Sequence, residues 1–440
     1  MDSVKSRLSA MMFLQYAVWG IWLPVLATYL QSPLFEGGLG FTSAQVGWII
    51  GIAASLGAVS APFIAGQFAD RYFSTEKFLS LLLLFGGIVK FVLSFQTSFS
   101  AWLILSVLYS VLYMPTLSLT NSMAFAHLKN IDNEWPRVRV MGTLGWIAAS
   151  WLFPMIWLQS NLEFQVLPPF FVGTEVADAT SRLGDTLKVS GVISILYALY
   201  CMSLPNTPPN KKASEKLAFI KAFSLLSKKS FAVLVLASLP IAIIHQIYFM
   251  QTGPFLENQL GLLVTYIAPA MTVGQFAEIA VMAILGVFIA RFGFRRTIAI
   301  GAFAYFARYL IWGLISLQEP SGESVDASGQ FLWTFPLIIG VFSQLLHGVC
   351  YACFFASAYM YVDKIADEDI RNSAQTVFGI IILGLGPMLA APLLGVLANV
   401  FGEAGVVTDF AGMWLSLAAI ALVTSAVFFV AFTDEAESSI

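Results

Sequence analysis

Charge is scarce in this chain. Only 11% of its 440 residues are Asp, Glu, Lys or Arg, and 58% are apolar, whereas a soluble domain carries about 25% charged residues. That excludes a water-soluble fold. A net charge of −3 with no basic arm gives no footprint for nucleic acid. Cysteine is also rare: Cys201, Cys350 and Cys353 all lie in apolar stretches, so no disulfide framework is visible. The run Cys350-Tyr351-Ala352-Cys353 has no second cysteine pair to complete a metal site, and neither a metal nor a cofactor is expected. No Walker loop, His-Glu-x-x-His run or Ser-His-Asp pattern is present, so the chain reads as neither an ATP-driven pump nor an enzyme.

What is abundant is long apolar sequence. A membrane span needs about 20 apolar residues, and twelve stretches qualify: roughly 9–30, 44–68, 78–97, 101–123, 139–159, 187–204, 231–253, 264–290, 297–317, 331–361, 373–399 and 412–432. The first is longer than the ~7–15-residue core of a signal peptide, so it is expected to stay as a helix. With the N-terminus inside, 18 of the 22 Lys and Arg fall on the cytoplasmic side, Arg182 and Lys188 fall outside, and Lys90 and Arg308 lie within spans. This split follows the positive-inside rule and predicts cytoplasmic termini in a cell (inner) membrane protein. The Pro-rich then Lys-rich segment 205–230 separates six apolar stretches from six. The expected fold is an all-α membrane protein of twelve transmembrane helices in two pseudo-symmetric halves, 1–204 and 231–440, joined by a cytoplasmic linker at 205–230.

A repeat supports the two halves. Gly66-Gln-Phe-Ala-Asp70-Arg71 follows the second stretch, and Gly286-Val-Phe-Ile-Ala290-Arg291 follows the eighth. Arg71 and Arg291 coincide at an offset of half the chain, and Lys90 and Arg308 are displaced by nearly the same amount. Duplicated halves that rock around a midplane site are a transporter architecture.

Among the 25 acidic residues, Glu278 is the one deep inside an apolar stretch. A carboxylate in hydrocarbon is costly and faces a wet cavity or a partner. Gln275 is three residues earlier, on the same helix face. Glu278 is 13 residues before Arg291, about 20 Å along a helix, which places it near the midplane. An amide and a carboxylate there suit hydroxyls or a base edge; pairing of Glu278 with Arg308 is the structural alternative. His245 and His347 are also at midplane depth and join Glu278 as proton-coupling candidates, because an imidazole titrates near neutral pH.

The Gly66 to Arg71 run resembles the cytoplasmic loop motif of the major facilitator superfamily, in which Gly66, Asp70 and Arg71 would hold one conformation. Further runs resemble the bacterial nucleoside:proton symporter family. They are Phe13-Leu-Gln-Tyr16 with Trp19-Gly20 and Trp22-Leu23; Tyr113-Met-Pro-Thr-Leu117; Arg139-Val-Met-Gly-Thr143-Leu-Gly-Trp146; Gln275-Phe-Ala-Glu278; and Ile370-Arg-Asn-Ser-Ala-Gln375. The resemblance implies a monomeric secondary transporter that binds a nucleoside-like small molecule and protons in a lipid bilayer. It implies substrate contacts from Arg139, Thr143, Trp146, Gln246, Gln275, Glu278 and Tyr351. Three positions depart from the family: its tenth-helix acid is Ala352, a binding amide is Phe249, and a tyrosine is His347. These departures leave open one alternative cargo, a sugar or other small metabolite; a non-transporting membrane sensor is a separate alternative.

Overall fold

A computed structural model describes residues 3–62, 64, 73–208, 224–325, 331–366 and 371–434. The fold is all-helical apart from two short hairpins. Nine helices among the described residues are long and apolar enough to cross a membrane. Two more fall short for simple reasons: Thr75–Leu93 carries Glu76, Lys77 and Lys90, and Asp185–Cys201 has only 17 residues. The motif residues Gly66, Asp70 and Arg71, and most of the expected linker, lie outside the described residues.

The first apolar stretch is two helices, α1 (Ser3–Gly20) and α2 (Leu23–Gln31). Pro24 causes the break, because it has no N–H to bond the Gly20 carbonyl. That carbonyl instead accepts from Ser150 Oγ at 2.9 Å, and the Val18 carbonyl accepts from Ser190 Oγ at 2.7 Å. Lys90 is buried beside the break, its ammonium 3.4 Å from the Trp22 ring centroid and 3.7 Å from that of Tyr109. Two ring faces supply negative potential to this buried cation.

Next come α3 (Ser43–Pro62), α4 (Thr75–Leu93) and α5 (Phe99–His127). Helix α6 (Ile131–Trp157) begins eight residues before the expected boundary at 139. Pro136, Arg137 and Arg139 end the hydropathy signal but not the helix. Glycine lets α6 approach α1 closely: a Cβ at Gly20 would strike the Trp146 backbone, at Gly142 the Tyr16 ring, and at Gly145 the Phe13 carbonyl. Small residues bring membrane helices together in this way.

After α6 the chain forms an antiparallel hairpin, β1 (Gln159–Phe164) and β2 (Phe171–Glu175), and then enters α7 (Asp185–Cys201). Helix α8 (Lys229–Asn258) follows. The 52-residue element α9 (Val264–Ile315) is interrupted at Gly293, whose φ of 73° and ψ of 167° turn the chain between two arms. Glycine adopts that φ without a Cβ clash. Helices α10 (Phe335–Ile365), α11 (Ala374–Val400) and α12 (Phe410–Ala431) complete the bundle. Both α10 and α11 contain a π-helical turn, Cys350–Ala356 and Ile380–Leu385.

The segment before residue 208 and the segment after 224 meet mainly toward one end, the end that carries the β1–β2 hairpin. There Ser43 N donates to the Gly405 carbonyl at 2.9 Å and Gln31 Nε2 to the Met250 carbonyl at 3.3 Å. Trp151 Nε1 donates to Thr272 Oγ1 at 2.7 Å. At the opposite end, polar contacts within each segment include Lys5 with Glu134, Arg7 with the Ser203 carbonyl, Lys228 with the Ile365 carbonyl and Arg295 with the Phe429 carbonyl. The described polar contacts between the two segments therefore gather mainly toward the hairpin end.

Candidate transport site

The first arm of α9 packs on α10 through two glycines. A Cβ at Gly274 would press on the His347 side chain, and one at Gly348 would strike the Ala277 and Glu278 backbone. This close approach sets Glu278 beside Tyr351, which sits in the π turn of α10. A π turn adds a residue and swings the following side chains around the helix, a feature frequent at functional sites.

Opposite them stands α6. Arg139 lies two turns into that helix, with its guanidinium carbon 4.5 Å from the Tyr16 ring centroid. It is within electrostatic reach of both Glu278 and Tyr351, without closing into a direct ion pair. Glu278 and Tyr351 are ringed by protein yet keep open surface, 37% for Tyr351. Side chains in that situation line a cavity. Among the described residues, Glu278, Gln275 and Gln246 make no side-chain hydrogen bond, and Gln275 Oε1 is fully buried without a partner. An unpaired buried amide is expensive, so this surface is built to receive polar groups.

One turn along α6 from Thr143, Trp146 meets Trp19 edge-on at 5.6 Å, and Trp19 meets Tyr113 at 5.8 Å. These rings form an apolar wall continuous with the charged pair. Thr143 and Trp146 are both half-buried on the α6 face that carries Arg139.

The two histidines belong to a different network. Arg308 is fully buried, and its Nη1 is 2.8 Å from His347 Nδ1. Its Nη2 donates to Tyr309 Oη at 3.2 Å, and the guanidinium lies over Tyr248, Tyr309, Trp312 and Tyr305, with the nearest centroid at 4.3 Å. A guanidinium only donates, so His347 Nδ1 accepts and its hydrogen sits on Nε2. His245 Nδ1 bonds Tyr305 Oη at 2.8 Å, and the two imidazoles stack at 5.5 Å. Arg308 therefore pairs with His347 and not with Glu278. His245 also faces Tyr351, with centroids 6.4 Å apart, which links this network to the cavity wall.

The structure thus brings Arg139, Glu278 and Tyr351 together, with Gln275 one turn from Glu278 and Trp146 on the neighbouring wall. Sequence reasoning did not place Tyr16, which holds the Arg139 guanidinium, although it lies inside the quoted Phe13–Tyr16 run.

Comparison with known proteins identifies the relatives of the whole chain. A family model described as "Nucleoside H+ symporter" matches residues 2–437. The chain is 30% identical to the putative nucleoside transporter YegT of Escherichia coli (strain K12), over 99% of this chain and 95% of that one. It is 26% identical to the xanthosine permease of the same organism, over 98% and 96%. In fold it is similar to a crystal structure of an alanine variant of the nucleoside transporter NupG, with a TM-score of 0.81 at 23% identity, covering 98% of this chain and all of that one.

Proposed function

From the premise that this chain belongs to the nucleoside H+ symporter family, we propose that it is a secondary active transporter that imports a nucleoside, or a closely related polyhydroxylated solute, together with a proton. The observation that carries the reading is the Glu278 carboxyl: half-buried, free of hydrogen bonds among the described residues, and set between Arg139 and Tyr351. We read the bundle as twelve transmembrane helices in two six-helix halves, 1–204 and 231–440, with the linker 205–230 and both termini cytoplasmic in the inner membrane, and as a monomer. On that orientation the hairpin end is external and the opposite end faces the cytoplasm. Gly66, Asp70 and Arg71 form the conformational loop motif.

In this mechanism the solute is held by Arg139, Thr143, Trp146, Gln246, Gln275, Glu278 and Tyr351. Gln275 and Glu278 take hydroxyls or a base edge; Trp146 and Tyr351 supply flat ring faces. The proton sits on Glu278. Of the three candidates, His347 has Nδ1 committed to Arg308, and His245 has Nδ1 committed to Tyr305. Glu278 alone has no committed partner. With Ala352 in place of an acid on α10, it acts as a single carboxyl. The loaded, protonated site turns inward, the proton leaves to the cytoplasm, and the carboxylate remains facing Arg139.

Ala352, Phe249 and His347 favour one second reading, the same mechanism with a sugar or another small metabolite as cargo. Proton-gradient-driven uptake in proteoliposomes, competed by a nucleoside panel and by sugars, separates the two. Competition by at least one nucleoside is expected; competition by sugars alone would replace the first reading with the second.

A further inference from the structure

The β1–β2 hairpin contains none of the residues assigned to the transport site, yet it adds polar contacts across the external end to those of Ser43, Gln31 and Trp151. Glu175 Oε2 accepts from the Thr265 backbone N–H at 2.8 Å, capping the first turn of α9. Tyr266 Oη donates to Gln159 Oε1 at 3.1 Å, and Thr265 Oγ1 reaches the Leu158 carbonyl at 3.5 Å. The first residues of α9 have orphan N–H groups, and here a carboxylate from the other segment satisfies one. Toward its tip Phe164, Val166 and Leu167 are 70%, 84% and 73% exposed, while Phe170 rests on the Trp151 ring at 5.6 Å. Its base is held to α9 by hydrogen bonds, whereas its tip makes this ring contact with α6.

We propose that this hairpin is the external latch of the transporter, and that release of Thr265 and Tyr266 from Glu175 and Gln159 opens the cavity to the outside. The proposal rests on the transport reading above. Its consequence is mechanical: the helix freed by the latch is the one that carries Gln275 and Glu278.

Charge gives the latch a sense of direction. Burial raises the Glu175 carboxyl above the ordinary carboxylate range, and the nearby Glu323 pushes it the same way. Glu257 lies within reach of both Glu175 and Glu36, so the surrounding groups are acidic as well. On release Glu175 returns to water and to its ordinary value. The latched state therefore binds more protons, and external acid favours it. Protons outside would thus promote closure behind a loaded site.

The test uses the full-length transporter. In a Gln159→Cys/Tyr266→Cys variant, a short bis-methanethiosulfonate is expected to reduce uptake about tenfold or more, because alternating access needs the gate to move; reductant restores uptake. Full uptake by protein cross-linked to completion overturns the latch. A second readout needs no substrate, so it stays informative even where the nucleoside reading fails. A cysteine placed at the buried Ala268 is labelled from outside by a membrane-impermeant maleimide. Labelling is expected to rise severalfold in Glu175→Ala/Tyr266→Phe and to slow as external pH falls from about 7.5 to about 5.5. An unchanged rate in the double variant refutes the latch, and equal acid slowing in Glu175→Gln refutes the role of that carboxyl.

Discussion

The contact between α9 and α10 makes a sharp prediction about a single methyl group. At Gly348 an added Cβ would lie 2.4 Å from the Ala277 carbonyl carbon and 2.4 Å from the Glu278 nitrogen. Ordinary contact begins at 3.4 Å, so Gly348→Ala must push the two backbones apart by about an ångström. Both obstructing atoms are main chain and cannot rotate away. Overpacking of this kind costs about 1–3 kcal/mol. The functional loss should be larger than the stability loss, because the displaced backbone is that of Glu278 itself. A 1 Å error in a positioned group lowers rates by roughly 100-fold in enzymes, and uptake should fall by a comparable order. The control is Gly286→Ala on the same arm of α9, where a Cβ would meet nothing within 4 Å; there alanine is neutral or stabilising by up to about 1 kcal/mol. Proteoliposome uptake and thermal unfolding of both variants, measured side by side, decide the matter. Gly348→Ala with uptake and melting temperature equal to those of Gly286→Ala would refute the packing argument and the placement of Glu278 that follows from it.

The Arg308–His347 pair should behave as a buried charged hydrogen bond. His347→Phe keeps a ring but removes the acceptor, and is expected to cost about 1.5–3 kcal/mol, read as a lower melting temperature; adding Arg308→Met should recover part of it. Lys90 should tolerate Met, since the cation–π gain and the desolvation cost disappear together, whereas Lys90→Glu sets a carboxylate against two ring faces and should abolish accumulation of folded protein in the membrane. Trp151→Phe deletes the bond to Thr272 and is expected to cost about 1 kcal/mol, with no change in which solutes compete for uptake.

Much of the bundle was legible because burial in lipid demands apolar length, a signal that survives without any contact information. The turn at Gly293 was readable from Arg291, Arg295 and Arg296, whose charge separates two apolar stretches. The hairpin at 159–175 was not: its mixed polar and aromatic residues face water on several sides, and its pairing depends on the segment it clasps. The π turn at Cys350–Ala356 leaves no periodicity of its own, so the sequence placed Tyr351 by resemblance and not by geometry. Glu278 and Gln275 stood out because a carboxyl and an amide are costly in an apolar helix. The pairing of Arg308 with His347, 39 residues away, was hidden because Glu278 and two histidines were equally plausible partners at that depth. Arg139 was ambiguous for a different reason: an expected helix start at 139 put it at the end of a span, whereas the helix starts at Ile131 and carries Arg139 two turns along, within reach of Glu278 and Tyr351.

The central claim is that Glu278 alone carries the coupled proton. The direct measurement compares wild type and Glu278→Gln in proteoliposomes, for nucleoside counterflow without a gradient and for concentrative uptake driven by a proton gradient. The account predicts that Glu278→Gln retains counterflow and loses gradient-driven accumulation together with its pH dependence. Accumulation by Glu278→Gln to the wild-type level under the same gradient would contradict it.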